Sequence, residues 1–384
     1  MKNIVLPPST DHPVLSPTTR PVLPPPTDSP PKTSTDSPSK TSTPLPVAEL
    51  RTLSLSTLGS LPSSPPRARY QPRFPSIAEV LDEYTEPVED VPEVPYEGLT
   101  EHHRLHSQTH ALTTLMQRPH PFHAPPLFPP TFHPRLILHI DCGTGILTRH
   151  LARLFPHARI LATEDSPAPM LYAARTPPNV TYLQGTFHAL LAAGRLPAEG
   201  TVDYIFSQLL ILRMTGWSAY VQGASRLLRA GGWMEVQETT ATVWRRDAKG
   251  ACLDAEVTAG WKWLEAVKGA AGRAGLDFDC GDEVMGRMVY AGLEGVQTVG
   301  YYEMPFGTWG EEHTWEMGRH MVRWEKEVHQ QMMERFLEGA GVRLGPLAMR
   351  QLMWETRMYL GAEKGKYRAL NVVTGWKRER RGWC

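Results

Sequence analysis

The feature that most restricts the fold is Leu136-Ile137-Leu138-His139-Ile140, a continuous apolar strand that ends in the turn Asp141-Cys142-Gly143-Thr144-Gly145 and passes straight into helical spacing from Ile146 to Phe155. The alternation continues: Arg159 to Thr163 reads as a second strand, Ala168 to Arg175 as a second helix and Val180 to Leu183 as a third strand. Val202 to Phe206 is a fourth strand, Ser218 to Leu228 a helix and Gly232 to Gln237 a fifth strand. Strands alternating with helices at such short intervals predict an α/β fold, a parallel sheet with helices on both faces. Ligands of such sheets bind at the carboxyl ends of the strands, so the turn at 141–145 is the first place to look for function.

Composition decides how much of the 384-residue chain joins that fold. Of the 36 prolines, 21 precede Tyr96, together with most of the clustered Ser and Thr and few aromatics. Such a stretch cannot bury enough surface to offset its ordering entropy, and residues 1–97 are predicted to be a disordered Pro/Ser/Thr-rich tail ahead of one domain at 98–384. Within the tail, Ser16, Ser29, Ser37, Thr43 and Ser64 each precede proline, the pattern of proline-directed phosphorylation, and Ile77 to Tyr84 is expected to form a short helical or docking segment. The formal net charge is zero, so no global field recruits nucleic acid or an anionic membrane, and no direct nucleic-acid binding is expected. Cys142, Cys252, Cys280 and Cys384 are far apart and show no metal-ligand spacing, which fits a reducing, intracellular compartment. No uncharged stretch is long enough to span a bilayer, so no membrane role is expected.

Gly98 to Gln117 has a helical pattern that sets Leu99, Leu105, Leu112, Leu115 and Met116 toward one side. His102, His106 and His110 share a face at spacings of four, but no Cys or carboxylate completes a ligand shell at matching spacing. An exposed polar face accounts for them, and no metal site is expected.

The chemistry starts at the turn. Gly143 and Gly145 let backbone approach a ligand, and the helix that follows aims free amides at it. Some 20 residues on, Glu164 ends the second strand, where a carboxylate accepts hydrogen bonds from both ribose hydroxyls of a nucleoside. Asp165 stands beside it and is accounted for by helix capping with Ser166 ahead of Pro167. Glycine spacing separates the cofactors: a dinucleotide fingerprint needs a third glycine at 148, which here is Thr148, and no phosphate-binding lysine follows. The pattern favours S-adenosylmethionine (SAM).

In order and near the expected spacing, His139–Leu147, Phe155–Ile160, Glu164–Pro167, Pro177–Val180, Val202–Ile205 and Gly231–Gln237 resemble the fungal LaeA-like class I SAM-dependent methyltransferases. The resemblance extends upstream to Glu101, Arg104, Leu105 and Gln108 and downstream to the strand at Gly375. It implies a Rossmann-like class I methyltransferase fold with a mostly parallel seven-stranded sheet. The SAM-binding core is placed at about 134–243, and a C-terminal cap with edge strands at 250–376. It implies that Gly143 and Gly145 cradle the methionine part of SAM and that Glu164 binds its ribose. The family has an Asp or Glu where this chain has His139, a glycine where it has Asp141, and commonly an Asp near Thr186. These three are therefore cofactor-site positions with altered chemistry; a threonine hydroxyl accepts the adenine amino group without charge and at lower strength. The resemblance further implies a role in fungal secondary metabolism or its regulation, residence in the nucleus and/or cytoplasm and, as in some members, a velvet-type protein partner. The methyl acceptor, a small metabolite or a protein, stays open.

Beyond the fifth strand, helical stretches at Ala255–Ala271 and Asp282–Gly292, a strand near Val296–Pro305, a helical region from Glu312 to about Leu337 and a strand at Leu370–Thr374 are expected to form the antiparallel edge and a substrate-side cap. Trp309, Trp315 and Trp324 are candidates for an acceptor pocket, but core packing is the expected role of such aromatics. The basic run Lys377–Arg381 reads as a solvated terminus. Methyl transfer asks for positioning, exclusion of water and a base only if the acceptor arrives protonated; His188, shortly after the third strand, is the one catalytic candidate.

Two functions compete. Gly143, Gly145 and Glu164 favour a SAM-dependent methyltransferase, whereas His139, Asp141 and Thr186 favour a non-catalytic regulatory interaction protein on that scaffold with impaired SAM binding. Asp141 divides them most sharply: a charge about 5 Å from the SAM carboxylate costs roughly 3 kcal/mol at an effective dielectric near 20. A protonated His139 pairing with Asp141 would relieve this, as would Asp141 taking over the amino-group contact of position 139. Repulsion is the expectation from sequence.

Overall fold

The computed structural model describes residues 96–124, 133–166, 176–246, 254–327 and 345–378. The predicted tail before residue 96 with its segment at 77–84, the helix expected at 168–175, the helical region beyond 327, and residues past 378 lie outside the described residues.

The chain opens with α1 (Tyr96–Met116), followed by β1 (Leu136–Ile140), α2 (Ile146–Leu154), β2 (Arg159–Glu164), β3 (Val180–Gln184), α3 (Phe187–Ala192), β4 (Val202–Gln208), α4 (Trp217–Leu227) and β5 (Leu228–Thr239). Two two-residue strands, β6 (Trp244–Arg245) and β7 (Ala255–Glu256), precede α5 (Lys262–Arg273), α6 (Cys280–Tyr290) and β8 (Leu293–Pro305). Then come α7 (Trp315–Glu327), α8 (Pro346–Leu360) and β9 (Lys366–Lys377). Among the described residues the sheet has nine strands in the order β3-β2-β1-β4-β5-β9-β6-β7, with β8 pairing β9 from the side. The seven long strands match the expected number; β6 and β7 are the addition.

β1 to β5 run parallel to their neighbours, and β9 is antiparallel to both β5 and β8. The chain order reverses between β1 and β4, which pair directly and open a crevice at their carboxyl ends. Alternation along β1 sends successive side chains to opposite faces. Leu138 and Ile140 join the core under α4 and α6 with Phe187, Tyr220 and Met288, while Ile137 joins the core under α2 with Phe122, Leu151 and Phe206. A third cluster builds the cap: Leu112 and Leu115 of α1, Leu264 and Val267 of α5, Met317 and Met321 of α7, and Phe306 after β8.

Several motif residues turn out to be clips between these elements. Asp203 of β4 accepts the backbone N–H groups of Arg135 and Leu136, each at 2.9 Å, and pairs with Arg229, fixing the start of β1. Asn179 donates its amide to the carbonyls of Ala152, Phe155 and Ala158 at 3.3, 3.1 and 3.0 Å, closing the turn between α2 and β2. Observed boundaries depart from the sequence expectation mainly by lengthening: β5 begins at Leu228 rather than Gly232, and β9 runs from Lys366 rather than Leu370. The start of β5 is held by β4, Leu228 opposite Val202, and the start of β9 by β6 and β8, partners that let each strand extend past its apolar run. The helix expected from Ala255 starts only at Lys262, because Ala255 and Glu256 pair with β6.

Candidate active site

The turn after β1 is held in a conformation few residues adopt. Asp141, Gly143 and Gly145 have φ values of 50, 58 and 74°, so three of five residues are left-handed. Gly is at home there and Asp is among the few side chains that tolerate it, which explains how Asp141 stands where the resembling family has glycine. The turn is pinned to β2 by three bonds: Asp141 N–H to Thr163 Oγ1 at 3.1 Å, Cys142 N–H to the Thr163 carbonyl at 2.9 Å, and Gly143 N–H to Glu164 Oε2 at 2.8 Å. A Cβ on Gly145 would lie 2.5 Å from the Tyr182 hydroxyl, whereas one on Gly143 would meet only Leu105 at 3.9 Å. Gly145 is required by its left-handed backbone, with a side chain there also pressing on the end of Tyr182, and Gly143 faces open space where a ligand can approach.

Glu164 is almost fully buried. Besides Gly143 it accepts Ser166 N–H at 2.9 Å and Arg213 Nη2 at 2.5 Å, both on Oε1. Three of roughly four acceptor positions of the carboxylate are used, leaving capacity beside the turn. Arg213, from the segment after β4, also lies 4.0 Å from Asp141 Oδ2 and so bridges the two acids. Burial, opposed by Arg213 and reinforced by Glu164 and Asp165, pushes the Asp141 carboxyl up to about 6. Its Oδ1 is buried without a hydrogen-bond partner among the described residues.

His139 does not pair with Asp141. Its Nδ1 lies 2.8 Å from Thr148 Oγ1, and complete burial lowers its pKa to about 3, so the ring is neutral. Burial among apolar neighbours removes the protonated state on which that rescue depended. Thr186 caps α3, its hydroxyl accepting Ala189 N–H at 3.3 Å. His188 donates Nε2–H to the Thr215 carbonyl at 2.7 Å. His139, Asp141 and Gly143 line a cleft with Gln108, Gln208, Leu209 and Arg213; Gly145, Glu164, Thr186 and His188 are not among its lining residues, Glu164 standing behind Gly143 and Arg213, to which it is bonded.

A second cavity of about 200 Å³ adjoins this cleft and shares Leu105, Gln108, Leu209 and Arg213 with it. Its wall is largely apolar, with Phe278, Met304, Met317 and Met321, and its polar groups include Arg104, Thr239, His320 and Arg368. Trp309 and Trp315 do not line it: Trp309 stacks under Arg246 at 5.7 Å and Trp315 is partly exposed. His320, 3.3 Å from Ser107 through Nδ1, is held neutral by burial and by Arg104 and Arg323, which lower its pKa to about 4. Below the cavity Glu238 accepts Leu210 N–H at 2.6 Å and Thr239 N–H at 2.9 Å and so fixes the segment that carries Arg213. Burial pushes Glu238 up to about 8 against those bonds. Sequence reasoning missed Arg213, Glu238 and His320, which lie outside any motif spacing.

Residues 137–232 match the model of the methyltransferase domain family. That stretch carries the turn, Glu164 and Arg213. The chain is 35% identical over 100 residues to a malonyl-[acyl-carrier protein] O-methyltransferase of Hahella chejuensis, covering 26% of this chain and 34% of that protein. It is 32% identical over 126 residues to one named alike from Magnetococcus marinus, covering 33% and 45%. The chain therefore spans less than half the length of these curated relatives. Among solved structures it is similar to phosphoethanolamine N-methyltransferase 2 of Haemonchus contortus in complex with SAM, at 14% identity and a TM-score of 0.36 over 66% of this chain and 50% of that one. The methyltransferase-type core thus ends near β5, and the cap that closes the second cavity, α5 to β9, lies outside the matched stretch.

The buried Asp141 makes stability depend on pH. A carboxyl whose folded pKa is raised binds its proton more tightly in the folded state, so its contribution is most favourable below the unfolded value of 3.8 and is lost as pH rises through about 6. Asp141→Asn, which keeps the left-handed preference, is expected to stabilise the domain by roughly 2 to 3 kcal/mol at about pH 7.5 and by only about 1 kcal/mol at about pH 4.5. Denaturant melts at the two pH values measure this; an equal effect at both would remove the titration of Asp141 as the cause.

Proposed function

We propose that the chain is a SAM-dependent methyltransferase whose acceptor enters the apolar cavity beside the turn after β1. The observation that carries this reading is the pair of adjoining clefts at the carboxyl ends of β1, β4 and β5, one lined by the left-handed turn and the other apolar, sharing Leu209 and Arg213. The residues fit SAM: Gly143 offers open backbone, Glu164 retains acceptor capacity for ribose, and the orphaned Asp141 Oδ1 needs a donor that the SAM amino group provides. SAM, when bound, supplies an activated methyl group. The chain holds the acceptor in line with it and keeps water out, the cap residues Met304, Met317 and Met321 forming a dry wall.

These facts shift the balance at Asp141. Arg213 offsets its charge, and a buried oxygen lacking a partner favours the amino-group contact over repulsion. Asp141→Gly is accordingly expected to weaken SAM binding about tenfold, about 1.4 kcal/mol, in calorimetric titration. Tighter binding would restore repulsion, and no binding by either form would overturn the enzyme reading. The alternative, a non-catalytic regulatory scaffold, is favoured by one observation: Arg213 already holds the ribose-binding acid Glu164.

The resemblance to fungal LaeA-like methyltransferases supports three further proposals: action on a small metabolite or protein in secondary metabolism or its regulation, a velvet-type protein partner, and residence in the nucleus and/or cytoplasm. The relatives' name, malonyl-[acyl-carrier protein] O-methyltransferase, adds an acidic acceptor as a model.

A further inference from the structure

Methyl transfer to a protonated acceptor needs a group to take the proton, and His188, the candidate offered by sequence, lies outside both clefts. Of the described residues that line the apolar cavity, His320 is the one side chain able to gain a proton. Arg104, Arg213 and Arg368 already carry theirs, and no Asp, Glu, Lys, Tyr or Cys is among them. Glu238 is turned away into the backbone N–H groups of Leu210 and Thr239. His320 is buried on α7, on the stretch that also gives Met317 and Met321 to the cavity wall. Its Nδ1 is 3.3 Å from Ser107 Oγ, and the ring makes no other hydrogen bond among the described residues. Burial, with Arg104 of α1 and Arg323 of α7, lowers its pKa to about 4 and keeps the ring neutral. A neutral imidazole has one N–H, so with Nδ1–H donated to Ser107 the other nitrogen, Nε2, carries a lone pair.

We propose that the acceptor is an apolar molecule bearing a hydroxyl group, whose O–H donates to Nε2 of His320 and whose proton passes to that nitrogen as the oxygen is methylated. This deepens the methyltransferase reading and rests on it for the proton transfer; the hydrogen bond stands on the cavity alone. As the O–CH3 bond forms and the methyl–sulfur bond breaks, the O–H electron pair stays on oxygen and Nε2 becomes N–H. An oxygen carrying both its proton and a new methyl group is a far stronger acid than imidazolium, so a weakly basic ring suffices. Ser107 is exposed, and the bond from Nδ1 to its hydroxyl gives the proton a way out to solvent. A carboxylate acceptor, by contrast, arrives without a proton and needs no base.

The test is calorimetric titration of the full chain with 2-naphthol, 2-methoxynaphthalene and 2-naphthoate, alongside SAM, followed by single-turnover methyl transfer from SAM to 2-naphthol. The chain is expected to bind 2-naphthol about fivefold or more tightly than either other probe. His320→Phe, checked for folding by thermal melt, removes that preference. His320→Gln offers an amide oxygen, keeps the preference within about threefold, and slows transfer about a hundredfold or more because an amide takes no proton. If the phenylalanine variant unfolds, the glutamine variant carries the test. Equal or tighter binding of 2-methoxynaphthalene would mean that the ring donates rather than accepts, and tighter binding of 2-naphthoate would mean an acidic acceptor. Either result overturns the proposal, as does unchanged transfer by His320→Gln, or none by the unmodified chain with both ligands bound. SAM binding without the hydroxyl preference would sink this inference and leave the function; the preference without SAM binding would sink the function and leave the hydrogen bond.

Discussion

Replacing Glu235 by alanine is expected to cost about 4 kcal/mol of stability and to lower the thermal midpoint by about 10 °C. The carboxylate lies fully buried on β5 and accepts hydrogen bonds from four different groups. Oε2 takes His123 N–H at 2.8 Å, Ala124 N–H at 2.7 Å and the Tyr204 hydroxyl at 2.8 Å; Oε1 takes Gln237 Nε2 at 2.7 Å and shares His123 N–H at 3.0 Å. Truncation strands two backbone amides, a phenol and a side-chain amide away from water, each worth roughly 1 to 3 kcal/mol if left unpaired. Some repacking recovers part of that, hence the lower total. Glu235→Gln keeps one acceptor oxygen and is expected to lose about half as much. Calorimetric melts of the two variants decide it; a loss below about 1 kcal/mol for alanine would mean that the segment at 121–124 is not held by this residue.

Glu164→Ala is expected to weaken SAM binding by roughly 1 to 3 kcal/mol, about five- to 150-fold. Its effect comes by two routes. The carboxylate is the proposed acceptor for the ribose hydroxyls, and through Gly143 N–H and Arg213 it also holds the turn and the segment after β4 in place. Glu164→Gln separates them, since an amide oxygen still accepts from Gly143 while the charge facing Arg213 is gone. An affinity near that of the unmodified chain in the alanine variant would remove Glu164 from the cofactor site.

The architecture was legible because its signals are local. The run Leu136–Ile140, its glycine turn and the alternating strands and helices named the parallel sheet, and Glu164 was placed at the end of β2 by counting from the turn. The residues of the resembling segments were legible as a pattern but not as physics. Asn179, Asp203 and Glu235 bond to backbone far away in sequence, and no spacing displays a carbonyl or N–H group that a side chain will reach only after folding. Arg213, His320 and Arg368 stayed hidden for the same reason: they come from three separate elements and meet at one cavity only through the cap. His139 shows the opposite error. Its type suggested a charge, but burial against Thr148 decides its protonation, and burial cannot be read from a single strand position.

The central claim is that the turn after β1 binds SAM rather than a dinucleotide, and direct calorimetric titration of the full chain with SAM and, separately, with NAD tests it. Thr148, buried with its hydroxyl 2.8 Å from His139 Nδ1, stands where the dinucleotide fingerprint has the third glycine that lets helix and strand pack closely. The account predicts saturable one-to-one binding of SAM and no heat with NAD at the same concentrations; NAD binding, or no binding of SAM, would contradict it.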